Sequence, residues 1–533
     1  MAKQFFVLGI GGTGMRCIES LIHLCAMGMF DETEIHLLAL DTDKNNGNFA
    51  RLKEVKEAYL NAKGLNGQQR TTHKDTFFSA NIKYYEFSPD YEQKSSFKDV
   101  FNYGDTQFNH REETDLADLV LDQNVEEFNL LHGYRAQTHL GSMMMYQSII
   151  EAAQASENND LKEYVSALIA AGAKAKVFIL GSVFGGTGAS SIPVIPRALT
   201  RAGEIMSGGS SDVLKNVYFG ATLLTAYFNF KIPDAGEVSR ERVIATSDKF
   251  ALNSQAAMMF YADDTSVKQT YQRFYMLGTS GLNWDPQAGT KNNKTITGGA
   301  AQKNDSHYIE LMAACAARDF FNTSDDQLAA IKGNAAAKAE YLYRAVNESG
   351  KLEYQDFVGR NDQTEFAKRL GCLVAFAILS NGEADLVESA RNGKDKEMPG
   401  FENIDPSQVR YLKDYFRLFF TRADGSGNLH EGWLQQLHRS AGGGSNLMLN
   451  AKLFEPRTLK ALNKLAWNKD IYGDDEIGKS HKFSTGLFSS PFNEFKKLFL
   501  SILNGDKSTG ITNPGERFYK ITYDTLGKLF QFK

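Results

Sequence analysis

The sequence predicts an α/β fold, a mostly parallel sheet with helices on both faces. Short apolar runs that indicate buried strands alternate with amphipathic segments through the first half of the chain. Such alternation is typical of parallel sheets, because two parallel strands need a crossover, usually a helix, between them. In addition, two of the predicted strands are followed by the same tetrad, Gly-Gly-Thr-Gly, at 11–14 and at 185–188.

The second tetrad lies in the stretch around which the chain is organised, residues 176–201. A short apolar strand at 177–180 precedes a loop, 181–191, made almost entirely of Gly, Ser, Thr and Ala, and an amphipathic helix follows. A strand, a small-residue loop and a helix N-terminus present backbone N–H groups to a phosphate. The loop also contains three hydroxyl groups that can donate to a phosphate or reach a phosphate-bound Mg²⁺, those of Thr187, Ser190 and Ser191.

The elements before this stretch follow the same order. A strand within residues 3–10, a helix over 15–29 and a strand over 34–40 are predicted, and the second strand ends in a polar turn. Ligands of open α/β sheets bind at such strand ends. Asp41 and Asp43 in this turn suit a ribose, or a metal bound through water; an ordinary solvated turn explains them equally well.

Residues 49–115 are polar and irregular apart from a helix over 50–62. A helix over 115–131 then leads to a glycine-bounded loop, 133–141, which opens a further helix over 142–155. Arg135 in this loop suits bidentate contact with a phosphate. His132 and His139 have no Cys or carboxylate partners at ligand spacing, so no metal site of their own is predicted.

The remaining elements divide into two regions. Before residue 306 the pattern predicts a strand over 216–224, an aromatic turn at 225–233, a helix over 239–255, strands over 257–261 and 273–277, and a loop over 278–305. A buried helix over 307–321 follows, and the rest of the chain is mainly helical, with helices over 340–346, 364–379, 406–420, 429–438 and 487–503. We therefore predict an α/β nucleotide-binding domain at 1–304, a central helix and acidic turn at 305–335, and a helical domain at 336–533.

Composition narrows the classes of function. The length of 533 residues is enough for two to four domains, and the net charge of −5 gives no strong electrostatic case for nucleic-acid binding, which would need a local basic patch. Cys17 and Cys315 fall among apolar neighbours in predicted helices, where reduced core thiols are expected. No signal peptide precedes the first strand, and no apolar run reaches the ~18 residues that span a bilayer. We expect a cytoplasmic protein.

Five segments, in the right order, resemble the nucleotide loops of the tubulin and FtsZ superfamily. The resemblance covers roughly residues 3–325, and the ordered set is specific although each segment alone is weak. The segments resemble the first phosphate loop, the strand-end segment, the loop that senses the γ-phosphate, the signature loop and the fifth loop; they are GIGGTGMR (9–16), ALDTDKNN (39–46), GYRAQTHLG (133–141), GGTGASSIPVI (185–195) and TAYFNFKIPDAGEVSRER (225–242).

The chain departs from the superfamily in three places. Phe184 replaces the first glycine of the signature loop and Ser190 replaces the last. The acidic seventh loop is matched only by residues 322–326, with a different spacing. The helical C-terminal region does not resemble the mixed α/β domain of FtsZ. The chain therefore resembles a divergent prokaryotic tubulin-like protein more than FtsZ itself.

The resemblance implies a GTPase that binds GTP or GDP with Mg²⁺ and assembles head to tail into filaments. It implies that phosphates, ribose or Mg²⁺ contact Gly11, Gly12, Thr13, Arg16, Asp41, Asp43, Gly133, Gly185, Gly186, Thr187, Gly188 and Ser190. Asn304 and Tyr308 are candidates for contact with the base. Asp325 and Asp326 are candidate catalytic residues that would act on the next subunit's nucleotide; helix capping explains this acidic pair at least as well.

Two alternatives remain open. A Rossmann-type dinucleotide enzyme fits Gly9-x-Gly11-x-x-Gly14 followed by Asp41 at the end of the second strand. It leaves the second tetrad unexplained, and Asp41 follows Gly14 at a greater distance than usual. The other alternative is a non-hydrolysing scaffold, which binds nucleotide to set filament shape and recruits protein partners through its helical region; the altered signature loop favours it.

Overall fold

The computed structural model of the chain describes residues 4–30, 33–64, 75–101, 111–210, 213–228, 246–279, 298–332, 339–345, 369–374, 376–377, 380, 404–423, 429–440 and 510–529. The strands are Gln4–Ile10 (β1), Glu34–Leu40 (β2), Asn81–Phe87 (β3), Ala175–Leu180 (β4), Tyr218–Leu224 (β5), Arg273–Gly278 (β6), Glu340–Ala345 (β7), Thr421–Ala423 (β8) and Leu429–Glu431 (β9).

The helices of the first half are Gly11–Ala26 (α1), Gly47–Lys63 (α2), Phe97–Val100 (α3), Arg111–Val120 (α4), Gln123–Glu127 (α5), Thr138–Gln154 (α6), Asp160–Ala171 (α7), Gly186–Ser191 (α8), Ile195–Met206 (α9), Phe250–Asp263 (α10) and Thr265–Thr270 (α11). Those that follow are Tyr308–Asn322 (α12), Asp325–Lys332 (α13), Pro406–Phe419 (α14), Trp433–Ser440 (α15) and Pro514–Leu529 (α16).

Strands β1 to β7 form one parallel sheet in the order β3-β2-β1-β4-β5-β6-β7. The register places Ile10 beside Leu40 and Gly9 beside Leu180, so the carboxyl ends of the three central strands meet at one edge. The chain order reverses between β1 and β4, and ligands of open α/β sheets bind at such a reversal. The predicted α/β class, with its parallel sheet, is confirmed.

Helices cover both faces of the sheet. One hydrophobic core joins α1, α2 and α12 to the C-terminal helices α14, α15 and α16. The other contains α6, α7, α9 and α10. Alternate residues of β1 contribute to the two cores, Phe5 and Val7 to the first and Phe6 and Leu8 to the second, because successive side chains of a strand point to opposite faces. This double coverage explains why central strands consist of continuous apolar runs.

Helix α1 packs very closely against the ends of β1 and β4. A Cβ atom on Gly14 would lie 2.5 Å from the carbonyl carbon of Gly9 and 2.7 Å from the carbonyl oxygen of Leu180. These are backbone atoms, which cannot rotate out of the way. The last glycine of the first tetrad is therefore required for helix–sheet packing.

Two predicted elements are of the wrong type. The predicted strand over 257–261 lies within α10 (Phe250–Asp263), because a short apolar run does not by itself distinguish a strand from a buried helix. The predicted helix over 340–346 is wrong as well: Glu340–Ala345 forms β7, which pairs with β6. Its alternating aromatic and aliphatic residues have high β-propensity.

Two other predicted helices have different bounds in the structure. The helix predicted over 115–131 breaks into α4, α5 and a 3₁₀ turn, Leu130–His132, because the side chains of Asp122 and Asn129 cap new turns. The helix predicted over 429–438 begins only at Trp433, after strand β9. The predicted segments at 239–245, 364–368 and 487–503 lie outside the described residues. The proposed domain boundaries stay a prediction, although residues 340–345 add a strand to the sheet.

Two expectations from composition bear on the fold. All four cysteines are buried and none forms a disulfide bond, in agreement with the core positions predicted for Cys17 and Cys315. In the part of the chain that the structure describes, no helix is both long and apolar enough to cross a membrane.

We predict that Gly14→Ala lowers the free energy of unfolding by about 2 kcal/mol or more, because the added methyl group overlaps backbone atoms. Chemical denaturation of the purified variant measures this loss. Gly203→Ala in α9 is the matched control, since its Cβ atom would meet only side chains, the nearest 3.5 Å away. The control is expected to lose nothing and to gain up to about 1 kcal/mol from helix propensity. Equal effects at both positions would contradict this account of the packing.

Candidate functional site

A cavity of about 210 Å³ lies at the carboxyl ends of β1 and β4. It is formed by the loops after β1, β2 and β4, the loop before α6, and the segment 298–304. Of the fourteen residues predicted to bind a cofactor, twelve line it: Gly11, Gly12, Thr13, Arg16, Asp41, Asp43, Gly133, Gly185, Gly186, Thr187, Gly188 and Asn304.

Thr187 brings three of these loops together. A Cβ atom on Gly11 would lie 3.5 Å from the Cβ atom of Thr187, and one on Gly133 would lie 3.6 Å from the Thr187 hydroxyl. A Cβ atom on Gly186 would lie only 2.8 Å from the backbone nitrogen of Ala136. The two Gly-Gly-Thr-Gly segments therefore face each other across one cavity, and the loop 133–136 touches the second of them.

Backbone N–H groups line the side of the cavity formed by the glycine loops. Helix α1 begins at Gly11, and its N-cap residue, Ile10, makes no side-chain capping hydrogen bond. Gly185 precedes the first turn of α8, also without a side-chain cap. The first N–H groups of a helix have no partner within the helix, and in α1 the dipole of 16 residues adds positive potential. This surface suits an anion with several oxygen atoms.

The loop before α6 adopts an unusual backbone conformation. Gly133, Arg135 and Ala136 have φ angles of 92°, 45° and 64°. The left-handed region costs a residue with a side chain roughly 1–2 kcal/mol, and such strain is concentrated at functional sites. The guanidinium of Arg135 lies 5.7 Å from the centre of the Phe128 ring, and the residue lines the cavity.

Two carboxylates lie at the end of β2. Asp43 accepts hydrogen bonds from the backbone of Gly299 at 2.6 Å and of Asn45 at 3.1 Å. Asp41 is only 4 % exposed, and this burial, together with the charge of Asp43, raises its pKa to about 7. A cation at this position would relieve both causes of the shift. Asp41 and Asp43 are therefore two neighbouring carboxylates whose negative charge a metal ion would balance.

The donors at this turn fit a hard cation. The hydroxyl of Thr42 is buried against Asp41, and it lies 3.6 Å from the position of a Cβ atom on Gly133. Mg²⁺ usually binds one or two carboxylates, several waters and substrate phosphates, so Asp41, Asp43 and the adjacent phosphate loops fit that ion. No group of three or more His, Cys, Asp or Glu side chains suited to a metal occurs within the described ranges. A metal cage made by protein side chains alone is therefore not indicated there.

Arg16 supplies a fixed positive charge beside the phosphate loops. Its Nε donates to Glu310 at 2.5 Å and its Nη2 to the hydroxyl of Tyr227 at 3.0 Å, while that hydroxyl donates to Glu310 at 2.5 Å. Burial opposes the charge of Arg16, but Glu310 and Tyr227 together outweigh burial and raise the pKa of Arg16. Arg16 thus lines the cavity as a permanent cation, oriented by partners inside the protein.

An aromatic cluster forms a further wall of the cavity. The ring of Phe184, which replaces a signature glycine, lies 4.9 Å from that of Phe250 and 5.3 Å from that of Phe228. All three residues line the cavity. The sequence predicts an aromatic turn at 225–233, but nothing in the spacing of Phe228 and Phe250 places them beside the glycine loops. The cluster offers an apolar surface to a planar ligand.

The segment 298–304 forms another wall of the cavity, and the sequence predicted only Asn304 from it. Gln302 also lines the cavity and accepts a hydrogen bond from the side chain of Asn46 at 2.6 Å. The backbone of Asn304 donates to the side chain of Asn48 at 2.9 Å. These partners lie 256 residues apart in the chain, so no local pattern could have found them.

Two predicted ligand-binding residues lie outside the cavity. The side chain of Ser190 is fully buried and its hydroxyl donates to the carbonyl of Gly186, one helical turn earlier. Tyr308 is buried with its ring stacked on that of His307 at 4.6 Å. Both follow a predicted loop closely in sequence, but the helical turn directs them away from the cavity.

The predicted catalytic acids lie at the opposite end of the sheet. Asp325, 69 % exposed, begins α13 together with Asp326 and forms an ion pair with Lys176 at 2.9 Å. Lys176 is the second residue of β4, whose other end meets the cavity. A six-residue strand spans roughly 20 Å. Asp325 and Asp326 cannot touch a ligand held in the cavity of their own chain.

The sequence matches no model of a known protein family, and no curated protein matches it. Among solved structures, the chain is similar to a TubZ protein of Clostridium botulinum phage c-st with its C-terminal tail truncated. The identity is 11 %, the match covers 63 % of this chain and 66 % of that chain, and the TM-score is 0.25.

We predict that Asp41→Asn changes how stability depends on pH. The pKa of Asp41 lies near 7 in the folded chain and near 3.8 in the unfolded chain. The contribution of this carboxyl group to the free energy of unfolding is therefore fully present below about pH 4 and is lost as pH rises to 7. Asparagine cannot ionise and loses nothing. The variant should match the wild type at pH 4 and exceed its free energy of unfolding by up to about 4 kcal/mol at pH 8.

Denaturant unfolding at the two pH values tests this prediction. Asp90→Asn, at an exposed turn, is the control and should leave the difference between the two pH values unchanged. A variant at position 41 that is equally destabilised at both pH values would show that Asp41 acts through its hydrogen bonds rather than its charge.

Proposed function

We propose that this chain is a tubulin-like GTP-binding protein that self-assembles head to tail, with GTP hydrolysed between subunits. One observation carries the proposal: both Gly-Gly-Thr-Gly segments, which lie at the starts of α1 and α8, contribute residues to a single cavity where the strand order reverses. Two glycine loops facing one cavity suit a ligand with several phosphates better than they suit any other class of small molecule.

The chemistry of the cavity supports a nucleoside triphosphate bound with Mg²⁺. The N-terminus of α1 and the loop at 185–188 supply N–H donors for phosphate oxygens, and Arg16 adds a positive charge. Asp41 and Asp43 would hold Mg²⁺, which neutralises phosphate charge when bound. The cavity thus combines an anion surface and a cation surface, and the metal complex of a triphosphate presents both kinds of charge.

The aromatic cluster and the segment 298–304, with Asn46 beside it, suit a base. Phe228 and Phe250 offer aromatic surface, and Asn46, Gln302 and Asn304 bring amide groups that can both donate and accept hydrogen bonds. The choice of guanine over adenine rests on the resemblance of the five loops to the tubulin and FtsZ superfamily.

The position of Asp325 and Asp326 supports assembly rather than action within one chain. A second copy stacked along the strand direction would bring its acidic pair to the cavity of the first. Exposed carboxylates can orient a water molecule towards the terminal phosphate, and phosphoryl transfer depends on such orientation and on charge stabilisation. Head-to-tail stacking of this kind continues into a filament.

One observation favours a scaffold that binds nucleotide without hydrolysing it. Asp325 is already paired with Lys176, and that lysine also donates to the carbonyl of Thr323 at 2.6 Å. An acid held in this way is less free to orient water. The strand order β3-β2-β1-β4-β5-β6 is also that of dinucleotide-binding sheets. A measurement of which nucleotide the chain binds therefore tests the dinucleotide enzyme as well.

We predict that Gly185→Leu abolishes nucleotide binding while the chain stays folded. Gly185 lines the cavity with φ near −90°, which any residue adopts, and a Cβ atom there would meet only the Ser182 hydroxyl at 3.4 Å. The leucine side chain therefore occupies cavity space without backbone strain. Titration with a fluorescent GTP analogue should show at least a hundredfold loss of affinity at an unchanged melting temperature. Wild-type affinity in this variant would mean that the ligand binds elsewhere.

We predict that phosphate release from Mg²⁺-GTP per chain rises steeply above a threshold protein concentration, because each complete site needs two chains. Asp325→Asn combined with Asp326→Asn should lower release at least tenfold and leave GTP affinity unchanged. Asp414→Asn, in an exposed pair with Arg417, is the control and should change neither quantity.

Mixing variants distinguishes a shared site from a self-contained one. Gly185→Leu chains keep the acidic pair but lose the cavity, and the doubly substituted chains keep the cavity but lose the acids. Each should be inactive alone, and a mixture should regain a substantial fraction of wild-type release. No recovery, with a rate independent of concentration in the wild type, would refute the shared site. Tight GTP binding without release supports the scaffold, and NAD binding in place of GTP supports the dinucleotide enzyme.

A further inference from the structure

We propose that helix α15 is a clamp on the cavity, with Gln436 and Arg439 as positioning residues for the wall formed by residues 298–306. Occupation of the cavity and docking of α15 would then strengthen each other. The inference rests on the proposed function only in taking a nucleotide as the occupant.

The wall is hydrogen-bonded to the turn that carries Asp41 and Asp43. The backbone of Gly299 donates to Asp43 at 2.6 Å, and Gly47 donates to the carbonyl of Gly299 at 3.1 Å. Gln302 and Asn304 complete the attachment through Asn46 and Asn48, as described above. A ligand that contacts this turn therefore acts on the wall as well.

Helix α15 holds the other end of the same wall. The side-chain oxygen of Gln436 accepts a hydrogen bond from the backbone of Ser306 at 2.9 Å, and its amide group donates to Asp305 at 3.0 Å. Arg439 forms an ion pair with the second oxygen of Asp305. Ser440 accepts from the backbone of Tyr308 at 3.0 Å, at the start of α12. One short helix thus supplies polar partners to three residues in the segment 305–308.

Arg51 ties both attachments to α1. Its Nη2 donates to Gln436 at 2.9 Å and to Glu19 at 2.7 Å, and its Nη1 donates to the carbonyl of Asn304 at 3.3 Å. Glu19 belongs to α1, the helix whose first turn faces the cavity. A single guanidinium therefore links the clamp, the wall and the helix that would bind phosphate.

Burial makes this network respond as a unit. Gln436, Ser306 and Glu19 are all buried, and an unpaired buried polar group costs about 1–3 kcal/mol. Partial release of the wall would leave several groups unpaired at once, so α15 and the wall separate together or stay together. Trp433 anchors the helix in the core and donates to Ser20 of α1 at 3.2 Å. Coupling between two such states is reciprocal: whatever favours one site favours the other equally.

The first test disrupts and then restores one hydrogen bond. Gln436→Glu places a carboxylate against that of Asp305, and we expect the affinity for Mg²⁺-GTP to fall about tenfold. Adding Asp305→Asn exchanges donor and acceptor, because the asparagine amide can donate to the new carboxylate, and should restore most of the affinity. A merely structural role would not produce rescue by a second substitution. Arg417→Ala on the exposed surface of α14 is the control and should leave the affinity unchanged.

The second test uses the wild-type chain, so it holds even if Gln436→Glu fails to fold. Addition of Mg²⁺-GTP should slow amide hydrogen exchange in residues 433–440 at least fivefold, while exchange in α16 stays unchanged. Equal exchange in α15 with and without bound nucleotide would overturn the clamp, and so would full affinity in a folded Gln436→Glu chain. If the wild type binds neither GTP nor a dinucleotide, the proposed function fails and the clamp with it; if nucleotide binds but α15 does not respond, only the clamp fails.

Discussion

The close approach of helix α1 to the ends of β1 and β4 is the constraint on which the rest of the site depends. Only glycine fits at position 14, where a side chain would overlap the backbone of Gly9 and Leu180. This contact puts the positive end of a long helix at the edge of the sheet where the strand order reverses. It also sets the distance across which the second glycine loop faces the first. The surface of backbone N–H groups beside the cavity is thus a product of helix–sheet packing.

One cationic side chain and two carboxylates lie beside that surface, and the protein stabilises the two kinds of charge differently. Arg16 remains charged because Glu310 is buried beside it, and removal of one partner from such a pair typically costs 3–5 kcal/mol. Among the described residues Asp41 forms no such ion pair, and its burial beside Asp43 raises its pKa. The positive charge is thus balanced within the protein, whereas Mg²⁺ in the proposed function would balance the two carboxylates. That function would therefore couple the binding of phosphate to the binding of metal.

Local sequence determined most of the fold and much of the site. Strands such as β1 and β4 were predictable because burial on both faces demands continuous apolar runs, and the glycine loops because few other sequences fit between strand and helix. Ser190 and Tyr308 were misplaced, since nearness in sequence does not reveal which way a helical residue faces. Gln302 and Gln436 carried no signal, because their partners lie far away in the chain and depend on the completed fold.

The last described helix packs against the first elements of the chain, and this has a consequence for how the protein is made. Tyr519 donates to the carbonyl of Ala62, 457 residues earlier, and its ring lies 5.3 Å from that of Phe78. At 5–20 residues per second, a ribosome needs on the order of a minute to synthesise the intervening chain. Helices α12, α14 and α15 pack on the same core and are made within that interval, but the surface that α16 covers stays exposed until α16 itself has been synthesised. Until then this apolar surface is one for chaperones to protect.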